Sequence, residues 1–137
     1  MKDKRSGKKF YYVNTHLDHV GWEARRKGLA LIVERIGSIN PKGYPMVLTG
    51  DFNMTIDRPE FDDLKKIMTN ARESAYKTDH INTFHNWGKI HDDSSAIIDF
   101  IWYAGFSSCP EYETITKEYS GRKFVSDHYP VKATLIF

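Results

Sequence analysis

The sequence predicts a mixed α/β domain, one mixed sheet with two helices on one face, and three features carry that prediction. Short apolar runs that stop at glycine or polar residues read as buried strands, above all Pro45-Met46-Val47-Leu48 ahead of Thr49-Gly50-Asp51-Phe52-Asn53. Between the first two such runs lies a stretch with helical apolar spacing, which makes a strand–helix–strand unit with parallel pairing. Near the end, Val131, Ala133, Leu135 and Phe137 alternate with Lys132 and Thr134, as in a strand with one solvated face.

Taken in order, a polar turn at Ser6-Gly7 leads into the strand Phe10-Tyr11-Tyr12-Val13, and the polar cluster Asn14-Thr15-His16-Leu17-Asp18-His19 follows it. A helix comes next, with Trp22, Leu29, Ile32, Val33 and Ile36 on one side and charged residues on the other. Its exposed Glu23–Lys27 spacing is worth roughly 0.3–0.5 kcal/mol, and it ends near Asn40, before Pro41. Gly50 lets the chain leave the central strand sharply, so Asp51 and Asn53 share a face while Phe52 packs inward. A second helix is predicted from Pro59 to about Met68, N-capped by Asp57, with Phe61, Leu64, Ile67 and Met68 as its apolar stripe. Residues 71–95 read as a long irregular loop, a length more often functional than accidental, and Phe84 and Trp87 face either a substrate or the core. In residues 97–103 Asp99 sits inside an apolar strand, costly unless it is paired or hydrogen-bonded. A strand at 111–119, a turn at Ser120-Gly121-Arg122 and the final strand at 131–137 complete the chain.

Composition bounds the function. At 137 residues the chain holds one domain, and 20 basic against 18 acidic residues is too even a balance to mark a nucleic-acid binder. Only the start is lopsided: Lys2, Lys4, Arg5, Lys8 and Lys9 read as a solvated hairpin tip or a phosphate-steering tail. The single cysteine, Cys109, excludes an internal disulfide and a multi-cysteine zinc site. No run is long and apolar enough to span a membrane, and the charged start lacks a signal-peptide core, which leaves the compartment unassigned and cytoplasmic by default.

His16, Asp51, Asn53, Asp127 and His128 stand at strand ends or loop junctions, with Asp99 inside a strand, and such positions in α/β sheets converge on one crevice. A carboxylate beside a carboxamide, as at Asp51 and Asn53, suits a hard cation or a phosphate with its attacking water; the competing reading is an Asx-rich turn. Two histidines with several carboxylates fit metal-assisted hydrolysis. One carboxylate polarises a histidine, the histidine takes a proton from water, and another polar group steadies the developing charge.

Four motifs resemble those of the endonuclease/exonuclease/phosphatase superfamily, the DNase I-like and exonuclease III-like phosphoesterases, and stand in the family's order. They are Asn14-Thr15-His16-Leu17, Gly50-Asp51-Phe52-Asn53, Ile98-Asp99-Phe100-Ile101 and Ser126-Asp127-His128-Tyr129-Pro130-Val131. Residues 14–19 with Glu23-Ala24-Arg25-Arg26 look most like the uncharacterised bacterial members. The resemblance implies a DNase I-like β-sandwich flanked by helices and a divalent-metal-dependent phosphoesterase. By position, His16 matches the histidine that binds the scissile phosphate, Asp51 the acid that orients or deprotonates water, and Asn53 the amide that holds the phosphate or the metal shell. His128 matches the general-base or phosphate-contacting histidine, Asp99 the acid that pairs with it or stabilises the transition state, and Asp127 a metal-proximal carboxylate. The implied cofactor is Mg²⁺ or Mn²⁺, held through Asp51, Asn53 and Asp127, and the implied partner is a phosphate-ester substrate, nucleic acid among the candidates.

The departure from the family is that residues 1–137 look like the C-terminal half alone. The first half's metal-binding glutamate has no counterpart, since Glu23 and Glu34 lie on the helix after His16. With helices on one face, the opposite apolar face is expected to be covered, by self-association or by a missing N-terminal half. Two rivals stand beside the hydrolase reading: a catalytically incomplete relic acting as an interaction module, and a metallo-β-lactamase-like zinc motif at 16–19. In the zinc motif Asn14 occupies the place of the first histidine.

Overall fold

The strand–helix–strand unit forms as the spacing predicts. In the computed structural model, which describes residues 1–137, strand β1 (Tyr11–His16) leads into helix α1 (Trp22–Ile39) and strand β2 (Met46–Asp51). β1 and β2 pair in parallel, Tyr11 opposite Met46 and His16 opposite Asp51. Asp18 Oδ1 accepts the Val20 and Gly21 N–H groups ahead of α1, each at 2.7 Å. At the other end Asn40 clamps both backbone groups of Tyr44 and turns the chain into β2. Ile32, Val33 and Ile36 pack against the core, but Trp22 turns outward, its Nε1–H donating to Glu60 Oε1 at 2.9 Å.

The second helix is shorter than its apolar stripe suggests. A 3₁₀ turn, Pro59–Phe61, precedes helix α2 (Asp62–Ile67), and the residues that cap the two are Arg58 and Phe61, neither through its side chain, rather than Asp57. Phe61, Leu64 and Met68 are buried; Ile67 is exposed. Residues 71–95 are less irregular than the sequence implies. Strand β3 (Thr69–Asn70) runs into the short helix α3 (Ala71–Ser74), whose first N–H groups are capped by Asn70 Oδ1.

Strand β4 (Asp99–Ala104) lies antiparallel between β2 and β3, so the main sheet is mixed, in the order β1-β2-β4-β3. β4 starts at Asp99 rather than Ile97, which moves that carboxylate from mid-strand to the strand's beginning. Strands β5 (Ser108–Thr114) and β6 (Val131–Ile136) form a separate antiparallel pair; β5 begins and ends earlier than the predicted 111–119. The expected single sheet is therefore a four-stranded sheet plus a two-stranded one, in keeping with a DNase I-like sandwich fragment.

Two-residue periodicity divides the core. Met46, Leu48, Phe100 and Trp102 face α1 and α2, where Phe61 stacks on Trp102 at 5.6 Å and 18°. Burying each such large side chain contributes about 1.5–3 kcal/mol. Val47, Ile101 and Tyr103 face the other way, against Ala71, Cys109 and Tyr112. The β5–β6 pair thus covers, from within the chain, part of the face expected to need self-association or a missing half to cover it. What stays open is a groove of about 560 Å³ lined by 13 residues, 10 of them hydrophobic, among them Phe10, Tyr12, Phe106 and Leu135. The basic start folds back as a small hairpin, Lys2 bridging Lys9.

Candidate active site

Strand register builds the site. At one end of the main sheet three neighbouring strands place His16, Asp51 and Asp99 side by side, His16 opposite Asp51 and Asp51 opposite Asp99. Gly50, just before this row, has φ +156°, and a Cβ there would lie 2.1 Å from the Thr15 carbonyl oxygen, so only glycine lets β1 and β2 approach this closely. Asn53 adopts a left-handed φ of 51°. Its N–H donates to Asp51 Oδ1 and its Nδ2–H to the Leu17 carbonyl, both at 2.8 Å, tying the turn to the end of β1.

His128 enters from the loop before β6. Its Nδ1 meets Asp99 Oδ2 at 2.8 Å and its Nε2 lies 3.8 Å from Asp51 Oδ2, while His16 Nε2 lies 3.3 Å from the same oxygen. Asp51, Asp99 and His128 are 13, 16 and 25% exposed, whereas the His16 side chain is 72% exposed. Burial, reinforced by the Asp99 charge, raises the Asp51 carboxyl above its ordinary value even though the Asn53 N–H and both histidines oppose the shift. The hydrogen bond to Asp99 raises the His128 imidazole, outweighing burial, and the Asp51 charge adds to it. In metal-free protein the His128 ring protons are therefore expected to titrate above 6.5, and Asp99→Asn to bring that midpoint down. NMR titration reads both, and an unmoved midpoint would refute the coupling. Because the folded value is the higher one, this pairing stabilises the fold fully below the unfolded value. That stabilisation is lost as pH rises through the folded value.

All six residues singled out in the sequence line one cleft of about 680 Å³, joined by His19, Phe84, Ile98 and Ser126. Asp127 contributes to the wall but stands apart from the tight cluster: one ligand atom each from Asp51, Asp99 and His128 lies within 4.8 Å of the others. This Asp/Asp/His group is capable of binding a metal. Since Asp99 holds His128 Nδ1, only Nε2 of that ring is free, so oxygen donors predominate and the set fits a hard divalent cation. Glu23 and Glu34 sit on α1 away from the cleft, and Glu23 is taken by Arg26 at 2.7 Å.

One positioning residue escaped the sequence reading. Thr83, fully buried, accepts the Ile98 and Asp99 N–H groups on its hydroxyl at 3.0 and 3.1 Å, and its carbonyl accepts the Tyr129 N–H at 2.8 Å. It pins the start of β4 to the His128 loop, and its neighbour Phe84 bridges His128 and packs on that ring at 5.0 Å. A small hydroxyl residue beside an aromatic in a polar stretch was the only available signal. Trp87, the other aromatic weighed there, is exposed.

The chain is a sandwich fragment with histidines and carboxylates gathered at its strand ends. The solved structures give the class its name. Over 99% of its length the chain superposes on a mannosyl-6-phosphatase of Bacteroides thetaiotaomicron, with a TM-score of 0.87, 30% identity and 54% of that chain covered. An endonuclease/exonuclease/phosphatase from Bacteroides vulgatus matches over 98% of this chain and 52% of its own, at TM-score 0.82 and 36% identity. Truncated TDP2 of Caenorhabditis elegans, at 19% identity and TM-score 0.70, shares the fold. No protein-family model and no curated protein matches the chain. The chain spans about half the length of the first two solved relatives. It has the fold of the C-terminal half of an endonuclease/exonuclease/phosphatase domain, as its four motifs suggested. No helix is long and apolar enough to cross a membrane.

Proposed function

We propose that this chain carries the reacting residues of a divalent-metal-dependent phosphoesterase, in the C-terminal part of its domain. The observation that carries the reading is the line Asp99–His128–Asp51, formed where three strand ends meet in one cleft. Asp51, 13% exposed and facing both histidines, orients the attacking water and takes its proton. His128, oriented by its Nδ1 contact with Asp99, and the exposed His16 face the phosphoryl oxygens as charge grows. Asn53 steadies the phosphate. Of the Asp51, Asp99 and His128 group, Asp99 and His128 are engaged with each other, so Asp51 would hold Mg²⁺ or Mn²⁺ together with Asn53 and Asp127 of the same cleft, and the ion would supply Lewis-acid stabilisation of the phosphoryl group.

The test is hydrolysis of bis-p-nitrophenyl phosphate with Mg²⁺ or Mn²⁺ and again with chelator. Metal-dependent turnover is the expected result. Folded protein without turnover would instead support the second reading, an incomplete half acting as an interaction module, which the half-length match to its relatives favours. The open groove belongs to the same question. We assign its occupant as the counterpart of the half of the relatives that this chain does not match, because 10 of its 13 lining residues are hydrophobic. The chain alone is then expected to be a monomer that binds an apolar dye, and a stable homodimer with the groove closed would overturn this.

A further inference from the structure

Beside the reactive cleft lies a second one of opposite charge. Residues 115–125 leave β5 as an arm whose tip is a two-residue turn. The Tyr119 and Arg122 N–H groups each donate to the other's carbonyl at 2.9 Å, with Ser120 and Gly121 at φ 50° and 75°. The arm encloses a cleft of about 260 Å³ into which Lys117, Arg122 and Lys123 contribute, together with the rings of Tyr119, Phe124 and Tyr129. No acidic residue lines it, and it shares Ser126 and His128 with the reactive cleft. The three cations take no part in the chain's ion pairs, in contrast to Lys77 and Lys132, which Glu111 and Glu113 hold. The floor is rigid: His85, buried, stacks between Phe124 at 4.4 Å and Tyr129 at 4.1 Å.

Unpaired cations around a walled cleft attract an anion, and those here adjoin a cleft whose own charges are the carboxylates of Asp51, Asp99 and Asp127. We propose that the substrate is a phosphate ester carrying a second phosphate, with the scissile group against Asp51 and His128 and the second held by Arg122 and Lys123. This deepens the hydrolytic reading and rests on it for which phosphate is cleaved.

Binding tests it without turnover. Titration calorimetry on metal-free protein compares thymidine 3′,5′-bisphosphate with thymidine 5′-monophosphate at low salt. Charge-assisted hydrogen bonds to the second phosphate predict about tenfold or tighter binding of the bisphosphate. That ratio should fall towards one in Arg122→Ala/Lys123→Ala and return in the charge-conserving Arg122→Lys/Lys123→Arg. A ratio near one in the native protein, or one that survives the alanine pair, overturns the proposal. Bis-p-nitrophenyl phosphate has one phosphate, so its failure to turn over would sink the hydrolytic reading alone and leave the binding ratio interpretable.

Discussion

Replacing His128 with alanine is expected to lower kcat/KM for a phosphodiester by about 10²–10⁴-fold, the range that a positioned proton-transfer or charge-stabilising side chain supplies. The size follows from how the ring is held. Asp99 fixes Nδ1 at 2.8 Å, Phe84 packs on the ring, and Nε2 is directed towards the Asp51 carboxylate across 3.8 Å. Alanine removes the partly buried imidazole that lies between Asp99 and Asp51. A purely structural histidine would show its loss in the melting temperature instead. The measurement is therefore paired: steady-state kinetics beside thermal unfolding, with Asp99→Asn as the milder variant that keeps the ring but removes the charge behind it. Kinetics within about threefold of native at a lowered melting temperature would mean that His128 only pins the loop to the sheet.

The parts of this site that could be read from the sequence are those set by local pattern. The apolar run at residues 45–48 and glycine at position 50 placed Asp51 and Asn53 at a strand's end, and the helix between β1 and β2 implied parallel pairing, which brings His16 alongside. The parts that could not be read are set by partners distant in the chain. Ile97 and Ile98 continue an apolar run, so Asp99 looked interior to a strand. Instead the Ile98 and Asp99 N–H groups turn to the Thr83 hydroxyl, a residue 15 and 16 positions away, and the strand starts only there. The same holds for Asp57, whose spacing suits an N-cap but whose chain enters a 3₁₀ turn first.

The second sheet was missed for a related reason. Residues 111–119 and 131–137 read as two further strands with no indication of where they lie, and they form at Ser108–Thr114 and Val131–Ile136. Burial of Cys109 and Tyr112 against Val47 and Tyr103 places them over the face that seemed bare. Apolar pattern tells which side of a strand is buried but not what buries it. The cost of exposing such a face, beyond a few hundred Å² of apolar patch, is what made some cover predictable.

Asp51→Asn is expected to remove turnover by about 10³-fold or more, because the carboxylate would both serve the attacking water and hold the metal. The exchange is nearly isosteric. Asparagine's oxygen keeps the bond from the Asn53 N–H, so the turn survives while the charge goes. Stability should move the opposite way from activity. Burial and the Asp99 charge disfavour the ionised carboxylate, raising its pKa above 3.8, so the folded state binds this proton more tightly than the unfolded chain. Stability from this group consequently falls as pH rises from 3.8 through the folded value, so in the metal-free protein the ionised carboxylate is held at a cost. Asp51→Asn relieves it, so the metal-free variant should melt at or above the native temperature. Mg²⁺ then separates the two: it binds the folded native protein and raises its melting temperature, while the variant, short of one carboxylate, responds weakly. Equal shifts with Mg²⁺, or a variant that melts well below native without it, would show that Asp51 holds the turn together rather than being held, charged, for chemistry.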